Sequence, residues 1–153
     1  MTEIGFYHLT RSPLEQALPR LLEKVLASGL RAVLRCPDGA GVERLDRALW
    51  TYGNDSFLPH GTRADGRAEA QPIFLTDGEE RPNGATVLVL VDAAPFGDLA
   101  GYDRCLDMFD GTSEAALHTA RDRWRWGRAQ GHKLTYWQQN ERGGWIKARE
   151  EGG

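Results

Sequence analysis

The most restrictive feature of the sequence is the segment 86–91, TVLVLV, in which every residue after the threonine is apolar. A strand with one face in water alternates apolar and polar residues, whereas a strand covered on both faces does not. We therefore predict a buried strand at the centre of a mostly parallel sheet flanked by helices. The first 50 residues support this fold class, α/β, because they read as strand, helix, strand and helix, the pattern of a βαβ unit.

The remaining elements follow from apolar spacing and from residues that begin or end helices. Ser12 and Pro13 are expected to open a first helix, and Pro19 inside it predicts a kink or a restart. Ser113 is expected to cap a long helix that Gly131 ends. Apolar runs predict three further strands, at 4–9, 31–36 and 73–76. The run at 102–109 is predicted to be either a strand or an irregular edge segment.

The chain is expected to form a single domain, because 153 residues suit one hydrophobic core. Residues 1–137 are assigned to the α/β domain. The segment 138–153 ends in a charged, glycine-rich run, so we expect a polar and frayed tail. Residues 51–72 are rich in Gly, Asp, Arg and Pro and are expected to form a long loop, a kind of connection that is often functional.

Composition and charge limit the possible functions. The formal net charge is −3, so the molecule as a whole does not attract nucleic acid, and a role near DNA is expected to use another protein or a local basic patch. No signal-peptide pattern opens the sequence and no apolar run approaches the ~18 residues of a membrane span, so we expect a cytoplasmic protein. Cys36 and Cys105 lack the neighbouring ligands of a zinc site and are expected to be buried apolar residues.

The sequence contains no recognisable catalytic or cofactor-binding motif. The turn at 36–41 has two glycines but not the G-x-G-x-x-G or G-K-[ST] pattern that directs backbone N–H groups at a phosphate. No hydrolase or zinc-enzyme motif surrounds a histidine, although a triad assembled in space from distant residues stays an alternative. We expect no cofactor, no metal and no enzymatic activity. The histidines are His8, His60, His118 and His132.

The predicted helix after Ser113 mixes basic and aromatic residues. Between positions 121 and 133 there are five Lys or Arg residues, two Trp and one acidic residue. Arginine donates bidentate hydrogen bonds to carboxylates, so this face suits an acidic peptide with an apolar anchor. It also fits single-stranded nucleic acid, with Lys133 as a further cation, or a solvated face with Trp124 packed inward. At about 100° per residue, one arc of this helix collects Leu117, His118, Arg121, Trp124, Arg125 and Arg128.

A second candidate surface lies at the end of the helix predicted at 42–50. Leu49 and Trp50 end this helix, and Phe57, Leu58 and Pro59 follow in the long loop. If exposed, these side chains would form an apolar patch for a protein partner. If buried, they would close the end of the core, and both interpretations stay open.

Several of these segments, in the same order along nearly the whole chain, resemble the chi subunit family of DNA polymerase III. The more specific part is an L-D-x-x-L-W pattern followed by S-F-x-P-H. The resemblance implies a single Rossmann-like domain without a nucleotide site. The matching segments are FYHL at 6–9, RLDRALW at 44–50, SFLPH at 56–60, LVLVD at 88–92 and ARDRW at 120–124 continuing to Gly131.

The resemblance also implies a function. Chi subunits are non-catalytic members of the clamp-loader assembly that bind the acidic, Phe-terminated tail of single-stranded DNA-binding protein and pair with the psi subunit. The psi-facing surface of the family maps onto Trp50, Phe57 and Pro59. A direct single-stranded nucleic-acid-binding module remains the alternative function.

The tail-binding residues of the family fall on the helix after Ser113. The tail-binding arginine corresponds to Arg121. A further family lysine, four residues earlier, falls here on Leu117, and this departure is expected to weaken the electrostatic half of the site. His118, next to it, or Arg128 could compensate for the missing charge. The residues expected to bind the tail are Arg121, Trp124, Arg125, Arg128 and His118.

Overall fold

The TVLVLV segment forms a fully buried strand inside the sheet, as its composition predicts. The computed structural model describes residues 2–52, 58–142 and 144–152, and within these ranges the chain forms one eight-stranded sheet and three α-helices. The helices are α1 (Leu14–Ala27), α2 (Gly39–Trp50) and α3 (Glu114–Ala129). The strands are β1 (Glu3–Leu9), β2 (Ala32–Arg35), β3 (His60–Thr62), β4 (Ile73–Thr76), β5 (Val87–Val91), β6 (Arg104–Asp110), β7 (Lys133–Gln139) and β8 (Trp145–Glu151).

The strand order is β3-β4-β2-β5-β6-β1-β7-β8. Every neighbouring pair is parallel except β7 and β8, which are antiparallel. This confirms the predicted α/β class with a mostly parallel sheet. The edge alternative for 102–109 is wrong, because β6 lies between β5 and β1. Its residues from Cys105 to Phe109 are buried and only the charged ends, Arg104 and Asp110, are exposed.

Helices cover both faces of the sheet. Helices α1 and α2 pack on one face through Leu18, Leu22 and Leu45, within one apolar cluster. Helix α3 packs on the other face through Ala120, within a second cluster that includes Phe6. The buried strands therefore carry apolar side chains toward both helical layers, which explains why β5 shows no alternation.

The helix boundaries match the predictions in part. Ser113 caps α3, since its hydroxyl accepts a hydrogen bond from the Ala116 N–H at 3.2 Å, and Gly131 follows the helix with a φ of 81°. Helix α1, in contrast, begins after Pro13 rather than Ser12. It also continues without interruption through Pro19, which is buried on the core face, so burial offsets the lost backbone hydrogen bond.

The C-terminal segment differs from the frayed tail predicted at 138–153. Strand β7 continues to Gln139, and β8 returns alongside it, so the sheet extends past residue 137. The turn is closed by the Asn140 side chain, which accepts hydrogen bonds from the N–H groups of Arg142 and Gly144, both at 2.9 Å. Trp145 packs edge-on against Tyr7, with ring centroids 5.1 Å apart. Sequence spacing does not reveal β8 because an exposed edge strand carries charges instead of alternating apolar residues.

The two cysteines confirm the prediction of buried apolar residues. Both are buried free thiols. Burial raises the pKa of Cys36 to about 12 and also raises that of Cys105, so both thiols are protonated at neutral pH. No helix in the described ranges is both long and apolar enough to cross a membrane.

A buried ion pair joins α3 to the sheet. Arg123 Nη1 lies 3.1 Å from Asp107 Oδ2, and the two side chains are only 13% and 3% exposed. Arg123 Nη2 also donates to the backbone carbonyls of Ala93 and Ala94, at 3.0 and 2.7 Å. Burial raises the pKa of Asp107, while the Arg123 guanidinium opposes that rise. The Asp107 carboxylate therefore depends on Arg123 for its charge.

We expect Arg123→Met to destabilise the protein by about 3–5 kcal/mol, because it leaves a buried carboxylate unpaired. The double variant Arg123→Met/Asp107→Leu should recover most of this loss, since no buried charge remains. Without Arg123 nothing opposes the rise that burial causes in the folded-state pKa of Asp107. The part of the loss due to the buried charge is therefore present at neutral pH and vanishes below the unfolded pKa, whereas the part due to the lost hydrogen bonds to Ala93 and Ala94 remains. Urea denaturation of the three proteins across pH measures these differences, and a single variant as stable as the parent would contradict the pairing.

Candidate protein-interaction site

A cleft of about 680 Å³ opens between α3 and the strands at the C-terminal end of the chain. Its floor is aromatic and its rim is basic. It brings together Arg121, Trp124 and Arg125 of the predicted site, and Leu117 also lies on its wall. The remaining lining residues are His8, Phe109, Ala120, Tyr136, Gln138, Ala148 and Arg149.

Trp124 forms the floor of the cleft. The side chain is half-buried, and its ring lies 5.4 Å from that of Phe6 and 6.2 Å from that of Tyr136, measured between centroids. Trp124 therefore packs inward, as in the interpretation of this helix as a solvated face, but its ring still borders the cleft. This double role fixes a flat apolar surface at a defined place beneath the rim.

The two arginines of α3 that line the cleft differ in their ion pairing. Arg121 is exposed and forms no ion pair with any residue that the structure describes. Arg125 lies 3.4 Å from Asp122, but the two side chains are 75% and 55% exposed, so solvent screens that contact. Both guanidinium groups can therefore form hydrogen bonds with carboxylates supplied by another molecule.

The structure places the other two predicted residues away from the cleft. His118 Nε2 lies 3.4 Å from Asp122 Oδ2, on an exposed turn of α3. Arg128 Nε lies 3.5 Å from Glu151 Oε2, on β8. Neither side chain lines the cleft, so a contact with a bound ligand would require the ligand to extend along the helix.

The inner end of the cleft is polar. The Tyr136 hydroxyl lies 2.7 Å from His8 Nδ1, and the His8 ring stacks on Phe109 with centroids 5.1 Å apart. Burial lowers the pKa of His8 and raises that of Tyr136. Both groups are therefore neutral at pH 7, and the positive charge of the cleft comes from its arginines.

Sequence reasoning missed the part of the cleft that β7 and β8 supply. The Arg149 guanidinium lies 5.2 Å from the Trp124 ring centroid, close enough for a cation–π interaction. Ala148 and Gln138 border the same space. The only signal in the sequence was the pair Trp145 and Ile146, two apolar residues within the segment expected to fray.

The second candidate surface, at the end of α2 and in the following loop, is partly buried in the core and partly exposed. Leu49 and Leu58 are buried in the core, whereas Trp50 is 57% exposed and Pro59 is half-buried. The Trp50 ring lies 4.6 Å from that of His60. Phe57 lies outside the described residues.

His60 holds the loop against α2 beneath Trp50. Its Nδ1 lies 2.6 Å from the carbonyl oxygen of Leu58. Its Nε2 lies 3.0 Å from Asp46 Oδ1, which is ion-pair distance but without hydrogen-bond geometry. The exposed Trp50 ring thus rests on a fixed base, as an anchor for a protein partner requires.

A different cleft, of about 460 Å³, lies at the carboxyl ends of β1, β5 and β6, where α/β proteins often bind ligands. Its walls include the acidic residues Glu15, Asp92 and Asp110. Arg44 already pairs with Asp92 at 2.5 Å and with Glu15 at 3.5 Å. Arg11 also lines this cleft, but the three carboxylates outnumber its two guanidinium groups, so a phosphate group would meet net negative charge.

Comparison with known proteins identifies the family. The profile described as "DNA polymerase III chi subunit, HolC" matches residues 1–135. A probable DNA polymerase III subunit chi from Rickettsia prowazekii is 36% identical over 109 residues, which are 71% of this chain and 66% of that protein. DNA polymerase III subunit chi from Pseudomonas aeruginosa is 32% identical over 88% of this chain and 94% of its own length. The subunit from Escherichia coli is 26% identical over 80% of this chain and 84% of its length.

These matches agree with the segments that suggested the family at the outset, which extend from Phe6 to Gly131 in the same order. The chain therefore belongs to the DNA polymerase III chi subunit family, accessory subunits of the replicative polymerase.

Proposed function

We propose that this protein is a non-catalytic adaptor on a Rossmann-like domain in the cytoplasm. In this proposal it binds the acidic C-terminal tail of single-stranded DNA-binding protein and links that protein to the clamp loader through a psi-type partner. The observation that carries the proposal is the cleft of about 680 Å³ beside α3, called the α3 cleft from here on. It combines an aromatic floor at Trp124 with guanidinium groups at Arg121 and Arg125 that are unpaired or weakly paired within the described residues. An acidic tail that ends in Phe has the complementary chemistry.

Each part of such a tail has a counterpart in the cleft. The carboxylates would accept hydrogen bonds from Arg121 and Arg125, whose planar groups favour two-point contacts. The terminal phenyl ring would pack on the apolar surface of Trp124 and Leu117. The cleft volume of about 680 Å³ lies within the range of sites that enclose a small ligand or a peptide end.

The replacement of the family lysine by Leu117 changes the balance of the site. Leu117 lies on the wall of the cleft and is half-buried, so it adds apolar surface where the family has charge. We therefore expect the phenyl ring of the tail to contribute a larger share of the binding energy than the carboxylates near that wall.

The alternative of direct nucleic-acid binding has less support in the geometry. A single strand stacks successive bases on several aromatic faces and needs cations along its backbone, whereas the cleft is a single space of about 680 Å³ with its arginines on one rim. Lys133, the further cation of that alternative, lies 3.3 Å from Glu150. The accessible cations are thus concentrated at one cleft, which suits a short acidic peptide end better than an extended polyanionic strand.

Arg121→Ala should weaken binding of an Asp/Glu-rich peptide ending in Phe by at least about tenfold, from a micromolar dissociation constant, because it removes a charge-assisted hydrogen-bond donor. Removal of the terminal Phe from the peptide should weaken binding to the parent protein similarly. Fluorescence anisotropy of a labelled peptide measures both effects. Binding should also weaken as salt increases.

Arg20→Ala is the matched control, since Arg20 is an exposed arginine on α1, which packs on the opposite face of the sheet. It should bind the peptide as the parent does. Equal affinity of the Arg121→Ala and parent proteins would reject the site. Binding of a labelled oligothymidylate at the concentration that saturates the peptide would instead support the nucleic-acid alternative.

We further propose that Trp50 and Pro59, together with Phe57, form the surface for the psi-type partner. Trp50→Ala should reduce co-purification with that partner by about tenfold or more, since exposed tryptophans often dominate the energy of an interface. Peptide binding should be unchanged, because the α3 cleft does not include Trp50.

Trp126→Ala provides the control for a lost surface tryptophan, because Trp126 is 40% exposed on α3. Full retention of the partner by Trp50→Ala would exclude this surface. Equal losses in the two tryptophan variants would indicate a general effect on stability.

A further inference from the structure

The antiparallel pair β7–β8 contains a β-bulge that determines where its basic residues point. Tyr136 pairs with Arg149 and Trp137 pairs with Lys147, so Ala148 has no partner of its own. In a regular strand Lys147 and Arg149 would face the same side of the sheet. Because their partners are consecutive residues of β7, the bulge directs them to opposite sides.

The contacts of the two side chains agree with this geometry. Lys147 Nζ lies 5.6 Å from the ring centroid of Trp137, on the face covered by α1 and α2. The Arg149 guanidinium lies 5.2 Å from the ring centroid of Trp124, on the α3 face. Arg149 thereby becomes the third guanidinium of the cleft, beside Arg121 and Arg125.

The Glu151 carboxylate lies between two arginines, Arg149 on the same strand and Arg128 near the C-terminal end of α3. Glu151 Oε1 lies 2.5 Å from Arg149 Nη2, and Glu151 Oε2 lies 3.5 Å from Arg128 Nε. The Arg149 guanidinium is the main reason that the pKa of Glu151 lies below its ordinary value. The Trp124 indole N–H contributes least to that lowering and falls outside hydrogen-bond geometry.

We propose that Arg149 binds the carboxylates of an acidic peptide in the α3 cleft and that Glu151 is an intramolecular competitor which the peptide displaces. This inference rests on the proposed function, since it adds a residue and a competing group to the same site. The terminal hairpin is then part of the binding surface, and its bulge is the feature that aims Arg149 into the cleft.

Solvent exposure allows this exchange. The Arg149 side chain is 58% exposed, so water and a ligand can both reach its guanidinium and compete with Glu151, whose side chain is 24% exposed. A peptide with several carboxylates can engage Arg121, Arg125 and Arg149 together, whereas Glu151 offers one carboxylate. The competitor therefore selects for ligands with clustered negative charge over ligands with a single carboxylate.

Three substitutions on β8 test the proposal with the Phe-terminated acidic peptide described above. Arg149→Gln should weaken binding by about tenfold, because it removes a charged donor. Glu151→Gln should strengthen binding by about two- to fivefold, because it frees Arg149. Lys147→Gln is the matched control, with the same charge change on the same strand but the opposite face, and should alter binding by less than about twofold.

The opposite signs separate binding from stability, since general loosening of the hairpin would weaken binding in both the Arg149 and the Glu151 variants. If both variants bind like the parent while Arg121→Ala loses binding, this inference is wrong and the proposed function stands. If the parent itself does not bind the peptide, the proposed function and this inference both fail. A melting temperature for each variant confirms that the hairpin remains folded.

Discussion

Strand β1 pairs with β6 along its whole length and with β7 from Glu3 to His8, so the first strand of the chain holds the last third of it in place. Alternate residues of β1 serve the two faces. Phe6 and His8 point toward α3, whereas Tyr7 points toward α1 and packs on Trp137 and Trp145. The floor of the α3 cleft and the docking of the terminal hairpin therefore depend on the same strand. Loss of these pairings would separate the aromatic floor from the hairpin that completes the site.

The arginines of this protein fall into two physical classes that a sequence does not distinguish. Arg35 is 1% exposed, and its guanidinium donates to the backbone carbonyls of Gly78, Pro95 and Phe96 at 2.5 to 2.9 Å. It serves to hold two loops at the end of the sheet, as Arg123 holds α3. Arg121, in contrast, projects into solvent beside the cleft. A guanidinium that is 1% exposed cannot be reached by a partner, whatever donors it has left.

The parts of the fold that follow from local sequence were predictable. The all-apolar β5, the cap at Ser113 and the end of α3 at Gly131 each depend on residues within a few positions of one another. The interior position of β6 and the existence of β8 depend on pairing with distant segments, which periodicity does not report. Helical spacing predicted that Arg121, Trp124 and Arg125 share one face, and all three line the cleft. It could not show that His118 and Arg128 lie outside the lining or that Arg149 lies within it, because those positions depend on the hairpin packing beside α3.

Binding of an acidic peptide by this acidic protein, as we propose, would have to rely on short-range recognition. With a net charge of −3 and a Debye length of about 10 Å at 0.1 M salt, the molecule as a whole gives such a ligand no long-range attraction. The attraction would arise within the cleft, where Arg121, Arg125 and Arg149 lie around a partly desolvated aromatic floor. Intramolecular pairing with Glu151 reduces that local field further, and under our proposal a ligand with several carboxylates would displace it. The same arrangement would then weaken non-specific binding to polyanions and leave the site responsive to a short, densely charged peptide end.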